Sequence, residues 1–303
     1  MAPVSVSVVR RVYLPFLVSA VFHYLGPAFA VLLFARVDVL GVAWLRIAAA
    51  AAVFAAWRRP WRVQERAPCL FLRPVVLAWG AVLAAMNACF YLAIDRLPLG
   101  TVAAIEFLPV VVLAAIGART MRNVQALALA VAGVALLSHV SIEGGGLGLA
   151  FAFANALLFA AYIVLADRAA KEGFGIDGLA AAMIVALVVI TPIGGWAAVP
   201  AFSDPVALAA GIGVGLCSSV VPYVADQVVL RNTDRGTYAL LISLLPATAV
   251  IIGIVVLGQV PSHQQALGVA LVAMGVALRR PGPPGAPTRP DSRAPAGARA
   301  GGG

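Results

Sequence analysis

PVVLAWGAVLAAMNACFYLAI at residues 74–94, DRLP at 95–98 and LGTVAAIEFLPVVVLAAIG at 99–117 decide the fold. Two apolar runs flank a four-residue break, and the second run carries a single charge, Glu106. A bilayer core about 30 Å thick takes about 20 helical residues at about 1.5 Å each. Each run has that length, so the stretch predicts two membrane-crossing helices joined by a tight outer turn.

The same reading, carried outward, finds further apolar runs at 12–34, 39–57, 123–139, 146–166, 178–200, 206–230, 236–257 and 263–279. With 74–94 and 99–117 they predict an all-α integral membrane protein of ten transmembrane helices. Composition agrees. The 303 residues are 63% hydrophobic and 11% charged, with a mean hydropathy of +1.01. A soluble domain is about half apolar and about a quarter charged. No soluble core hides that much apolar surface, so lipid is the expected solvent. Arg10-Arg11 before the first run imitates a signal peptide, but nine further runs favour a retained helix.

The net charge of +9 is spread between apolar runs, which argues for membrane topology and against a nucleic-acid partner. With a cytoplasmic N-terminus, 18 of the 21 Lys and Arg fall on the inner side. They comprise Arg10 and Arg11, Arg58 through Arg73, Arg119 and Arg122, Arg168 and Lys171, Arg231 and Arg235, and five Arg of the C-terminal segment. Only Arg36 and Arg96 fall outside, and Arg46 lies within a span. The expected location is therefore a bacterial-type plasma (inner) membrane, multi-pass, with both termini cytoplasmic. The Pro- and Gly-rich segment 281–303 reads as a disordered cytoplasmic tail.

The halves resemble each other. Gly100-Thr101 and Pro109 recur as Gly236-Thr237 and Pro246. Gln125-Ala126-Leu127 recurs as Gln265-Ala266-Leu267, and Gly133-Val134-Ala135-Leu136 as Gly275-Val276-Ala277-Leu278. Five spans per half make the second copy inverted. This predicts two five-helix repeats, 12–139 and 146–279, with Gly144 to Gly148 as the joint. Inverted repeats with Pro109 and Pro246 as matching helix breaks point to a secondary transporter.

Few ionisable residues lie inside spans: His23, Arg46, Glu106 and Asp226. A charge in the bilayer core is costly, so such residues face a cavity or a partner. Arg46 and Glu106 each lie seven residues in from the outer side, about 10 Å deep. Asn87 reaches the same level and Tyr91 sits one turn further out. Together with His23 they form an expected polar layer. Arg46 either grips a substrate carboxylate or neutralises Glu106, and Glu106 exchanges protons. The alternative is a fixed Arg46–Glu106 bridge that only packs helices. Asp226 either lines the inner pathway or pairs with Arg231 or Arg235. Asn155 and Tyr162, two turns apart on one face, either line the cavity or, for Tyr162, anchor the interface. Gly211, Gly213 and Gly215 permit close helix approach, within the chain or across a homodimer. The three Cys and three His have no metal-ligand spacing, so neither metal nor cofactor is expected. No clustered metal set and no Ser/His or Asp/Asp pair supports an intramembrane enzyme.

Met86-Asn87 through Phe90-Tyr91-Leu92, then Pro98-Leu99-Gly100 and Glu106-Phe107, resemble the threonine/homoserine exporter branch of the drug/metabolite transporter superfamily, with its EamA-type domains. Leu45-Arg46, Ala161-Tyr162-Ile163, Pro222-Tyr223 with Asp226, and Leu257-Gly258 after Pro246 are similar too. The resemblance spans nearly all of the chain except the tail. It implies two inverted five-helix repeats around a central cavity, and export of small polar metabolites, often amino acids, driven by protons. It also places Glu106, Arg46, Asn87, Tyr91 and Asp226 on matching positions. Where the family commonly has Glu before the second proline this chain has Leu245, and where it has Leu-Gly-Glu this chain has Gln259. Two proton carriers of the pattern are therefore missing.

Overall fold

The computed structural model describes residues 12–63, 70–117, 120–142, 146–232, 241 and 244–278. Every regular element among them is helical. In lipid no water satisfies backbone groups, so each crossing segment closes its own hydrogen bonds.

Among the described residues, five helices are long and apolar enough to cross a membrane: Leu14–Leu33, Val39–Arg58, Pro74–Ile94, Gly146–Lys171 and Gly175–Gly195. Shorter apolar helices lie between and after them. In chain order we label α1 (Leu14–Leu33), α2 (Val39–Arg58), α3 (Pro74–Ile94), α4 (Leu99–Glu106), α5 (Leu108–Gly117) and α6 (Met121–Ile142). There follow α7 (Gly146–Lys171), α8 (Gly175–Ile190), α9 (Pro205–Gly215), α10 (Val221–Asn232), α11 (Leu245–Leu257) and α12 (His263–Leu278). The helix expected at 99–117 is broken at Phe107, and that expected at 206–230 passes through a π turn, Leu216–Val220. A second π turn, Thr191–Gly195, continues α8. Gly236-Thr237, most of the first half of the ninth span, Cys69, the Gly144-Gly145 joint and the 281–303 tail lie outside the described residues.

Proline sets the breaks. Pro109 has no N–H for the carbonyl of Ile105, so the helix stops at Glu106 and restarts at Leu108. Pro246 takes the same second position in α11. Outer turns are fixed by caps. Asp38 accepts from the Leu40 N–H at 2.9 Å. Asp204 accepts from the Val206 and Ala207 N–H groups ahead of Pro205. The Ala207 N–H, then the Arg36 side chain, hold the Asp204 carboxyl below its ordinary range.

The packing is reciprocal. α3 lies along α7, and α10 lies along α1. α3 also meets α8, as α9 meets α2; α4 meets α7, as α11 meets α1. The pairs α2–α8, α4–α11 and α6–α12 complete the bundle. At the α6–α12 crossing a Cβ on Gly133 would stand 2.6 Å from the Gly268 carbonyl oxygen, and one on Gly275 2.6 Å from that of Ala126. Only glycine allows this approach. Polar ties join the halves at both ends of the bundle. Arg36–Asp204 (3.0 Å) and the Leu99 N–H to Gln259 Oε1 (3.0 Å) lie at one end. Arg58–Asp177 (2.8 Å) and Arg122 to the Leu278 carbonyl (2.8 Å) lie at the other.

The outward faces are apolar. Leu157 is 72% exposed and Val255 75%, and Val188, Ile193 and Trp196 stand out beside them. A belt of that kind on a helical bundle is what lipid covers.

Candidate functional site

Arg46, Asn87 and Glu106 come from three different helices, yet they share one cavity with His23 and Asn155. Pro27, Met86 and Phe90 complete its wall, and the site is a small, partly open pocket. Depth counting from the loops had set the first three level, and the α2, α3 and α4 crossings bring them together.

Arg46 and Glu106 are not bridged. Among the described residues no ion pair joins them, so a fixed bridge that only packs helices is not what the structure contains. Each charge is instead held by a neutral group from the other half of the chain. Arg46 Nε donates to Ser219 Oγ at 3.3 Å, and its Nη2 to the Ser218 carbonyl at 3.4 Å. Glu106 Oε1 accepts from Asn155 Nδ2 at 3.1 Å.

The Ser218 carbonyl is available for a reason that the sequence encodes. Pro222 stands four residues on and has no N–H to bond it. The helix accommodates this as the Leu216–Val220 π turn, a distortion often found at functional sites. Gly26 of α1 lets the turn come close, since a Cβ there would lie 2.5 Å from the Ser218 Cβ. Ser218 Oγ bonds back to the Val214 carbonyl. The signal for this unit was a proline four residues after Ser218, in a run with a second serine, Ser219.

Tyr91 is fully buried, with the Arg46 guanidinium 5.5 Å from its ring centre, a cation–π distance. Asn87 donates from Nδ2 to the Leu83 carbonyl of its own helix at 2.8 Å. His23 stands edge-on to Tyr24, with ring centres 5.0 Å apart. Tyr24, which sequence reasoning passed over, is fully buried, and its hydroxyl has no hydrogen-bond partner. Asn155 is also fully buried, and its Oδ1 accepts no hydrogen bond. Tyr162 does not line this cavity. Its ring stacks on Phe159 at 6.1 Å and leans on Trp79 at 5.9 Å. Asp226 belongs to α10, and its side chain lies outside the described residues. Pro109 and Pro246 stand at helix starts and not in the cavity wall. Gly211 and Gly215 are used within the chain, where they face Leu45 and Arg46 of α2.

The site offers a permanent cation with planar donors, an acid that can be neutral or charged, and two carboxamides. It can receive a small molecule that carries both a carboxylate and a hydrogen-bond donor.

Comparison with known proteins finds relatives over most of the chain. Residues 146–279 match the EamA-like transporter family. The chain is 31% identical over 267 residues to the threonine/homoserine exporter RhtA of Escherichia coli (strain K12), covering 84% of this chain and 86% of that protein. It is 30% identical over 258 residues to the protein of the same name from Salmonella typhimurium (strain LT2), covering 82% and 83%. A crystal structure of another protein superposes with a TM-score of 0.53 at 18% identity, over 88% of this chain and 96% of that one. At that identity the likeness is one of fold.

Proposed function

Since the chain belongs to the EamA-like transporter family, we propose that it exports small polar metabolites, amino acids of the threonine/homoserine kind, by proton-coupled alternating access. Family and apolar helices make it a multi-pass membrane transporter. The finer reading rests on one observation. Arg46 and Glu106 line the same cavity without pairing, each held by a neutral group of the opposite half.

In this reading Arg46 receives the substrate carboxylate through its fork of donors. Glu106 carries substrate or proton in turn, so inward proton flow drives outward substrate flow. One half rocks against the other around the cavity. The reciprocal packing of α3–α7 with α10–α1, and of α3–α8 with α9–α2, supports two inverted five-helix repeats, 12–139 and 146–279. The 18-to-2 split of Lys and Arg supports cytoplasmic termini in an inner membrane, with 281–303 as a cytoplasmic tail.

The test is transport of L-threonine into proteoliposomes under an imposed pH gradient. Glu106→Gln abolishes the response to the gradient. A variant that still responds removes Glu106 from the coupling.

A further inference from the structure

Asn155 is buried, lines the cavity, and is only half satisfied. Its Nδ2 donates to Glu106 Oε1 at 3.1 Å, while its Oδ1 accepts nothing. A buried carbonyl oxygen without a donor is costly, and a ligand N–H relieves that cost. The orientation of the amide follows from its neighbour. A carboxylate only accepts, so a charged Glu106 holds the NH2 group of Asn155 and leaves the oxygen to the ligand. A protonated Glu106 has an O–H to donate, and the same amide then turns its oxygen to Glu106 and its NH2 to the ligand.

We infer that Asn155 is a specificity-determining residue that reads the ammonium group of the substrate, and that proton binding at Glu106 reverses its amide and rejects that group. The inference deepens the export reading and rests on it. With Glu106 charged, the site offers Asn155 Oδ1 and a carboxylate to an ammonium, and Arg46 to the substrate carboxylate. With Glu106 protonated, Asn155 presents N–H donors to an ammonium that has only donors, and the substrate leaves. Substrate and proton thus exclude each other through an amide that itself never titrates. The exchange is balanced: one proton is bound at Glu106 and one zwitterion is released.

The other charged or titratable groups facing Glu106 come from three helices. α1 supplies His23 and Tyr24, and α2 supplies Arg46. α3 supplies Tyr91, seated on Arg46. α5 and α11 carry no titratable side chain along Leu108–Gly117 and Leu245–Leu257. On α12 the titratable residue is His263, at its outer end, and α7 contributes Asn155 itself.

The experiment measures binding of L-threonine and of 2,3-dihydroxybutanoate, which has a hydroxyl in place of the ammonium, to the full chain in nanodiscs across pH. The wild-type protein prefers L-threonine by about tenfold when Glu106 is charged, the scale of one buried hydrogen bond, and the preference fades on acidification. Glu106→Gln keeps a donor toward Asn155 and should lose the preference at every pH. Asn155→Leu should lose both the preference and its pH dependence. A wild-type preference that does not change with pH, or an Asn155→Leu protein that keeps it, overturns the inference and leaves the export reading in place. Failure of the wild-type protein to bind or transport any amino acid overturns both.

Discussion

Arg46 shows what a single residue can reveal and conceal. Its depth was readable by counting helix rise from the outer loop, and the same count set Asn87 and Glu106 level with it. Its partners were not readable. Ser218 and Ser219 are neutral and sit in an apolar run, so neither hydropathy nor charge marks them. Only the missing N–H of Pro222 hints at a free carbonyl there. The partnership has a consequence of definite sign. If substrate draws Arg46 away from Ser219, then Ser219→Ala removes a competitor and leaves the guanidinium less satisfied at rest. A hydrogen bond to a charged group contributes about 1.5 kcal/mol or more, so the KM for L-threonine transport should fall by up to about tenfold. Ser219→Thr keeps the hydroxyl and should restore it. A KM that rises in Ser219→Ala would show that the serine holds the arginine in its working position instead.

At the scale of elements, spans were legible because lipid imposes a length. α1, α2 and α3 end within about three residues of the runs read from the sequence, whereas α7 continues to Lys171, five residues past its run. The interruptions were only partly legible. A proline at 109 announces a break, but the π turns at Thr191–Gly195 and Leu216–Val220 depend on what packs beside them. Gln259 is a second case. It departs from the acid that the family commonly carries, yet its Oε1 accepts from the Leu99 N–H at the start of α4. It caps a helix of the other half. Gln259→Leu deletes that cap and should cost about 1 kcal/mol, within the usual range for lost caps. Thermal unfolding in detergent reads it as a lower Tm. Gln259→Glu retains an acceptor and adds a negative charge at a helix N-terminus, so its Tm should match or exceed that of the wild-type protein. A lower Tm in both variants would mean that the amide nitrogen matters more than the oxygen.

For the whole molecule, the contacts between the two halves were not legible in the sequence, because they depend on shape that no residue string displays. Two ion pairs tie the halves, Arg36–Asp204 at one end and Arg58–Asp177 at the other. Both are partly exposed, and pairs of this kind contribute little stability, about 0–1 kcal/mol. They are weak enough to break in turn. Cysteine pairs at 36/204 and at 58/177 should each be bridged by a bis-methanethiosulfonate cross-linker that spans the distance of the original ion pair and stop L-threonine transport, with activity returning on reduction. The single cysteines should leave the rate within about twofold. Unimpeded transport by a fully cross-linked protein would exclude motion of one half against the other at that end.

The glycine crossing of α6 and α12 carries an implication about ancestry. Gly133 meets Gly268, Gly275 meets Ala126, and the motif around Gly133 is the one that returns at Gly275. A contact that maps onto itself when its two sides trade places has the geometry of an isologous interface. Five helices with such a seam could pair with an identical copy of themselves, and fusing two such copies in one reading frame would yield the present chain. A side chain at either glycine would meet a backbone carbonyl of the facing helix, which no trimming across the seam relieves, so both helices would have to move apart together.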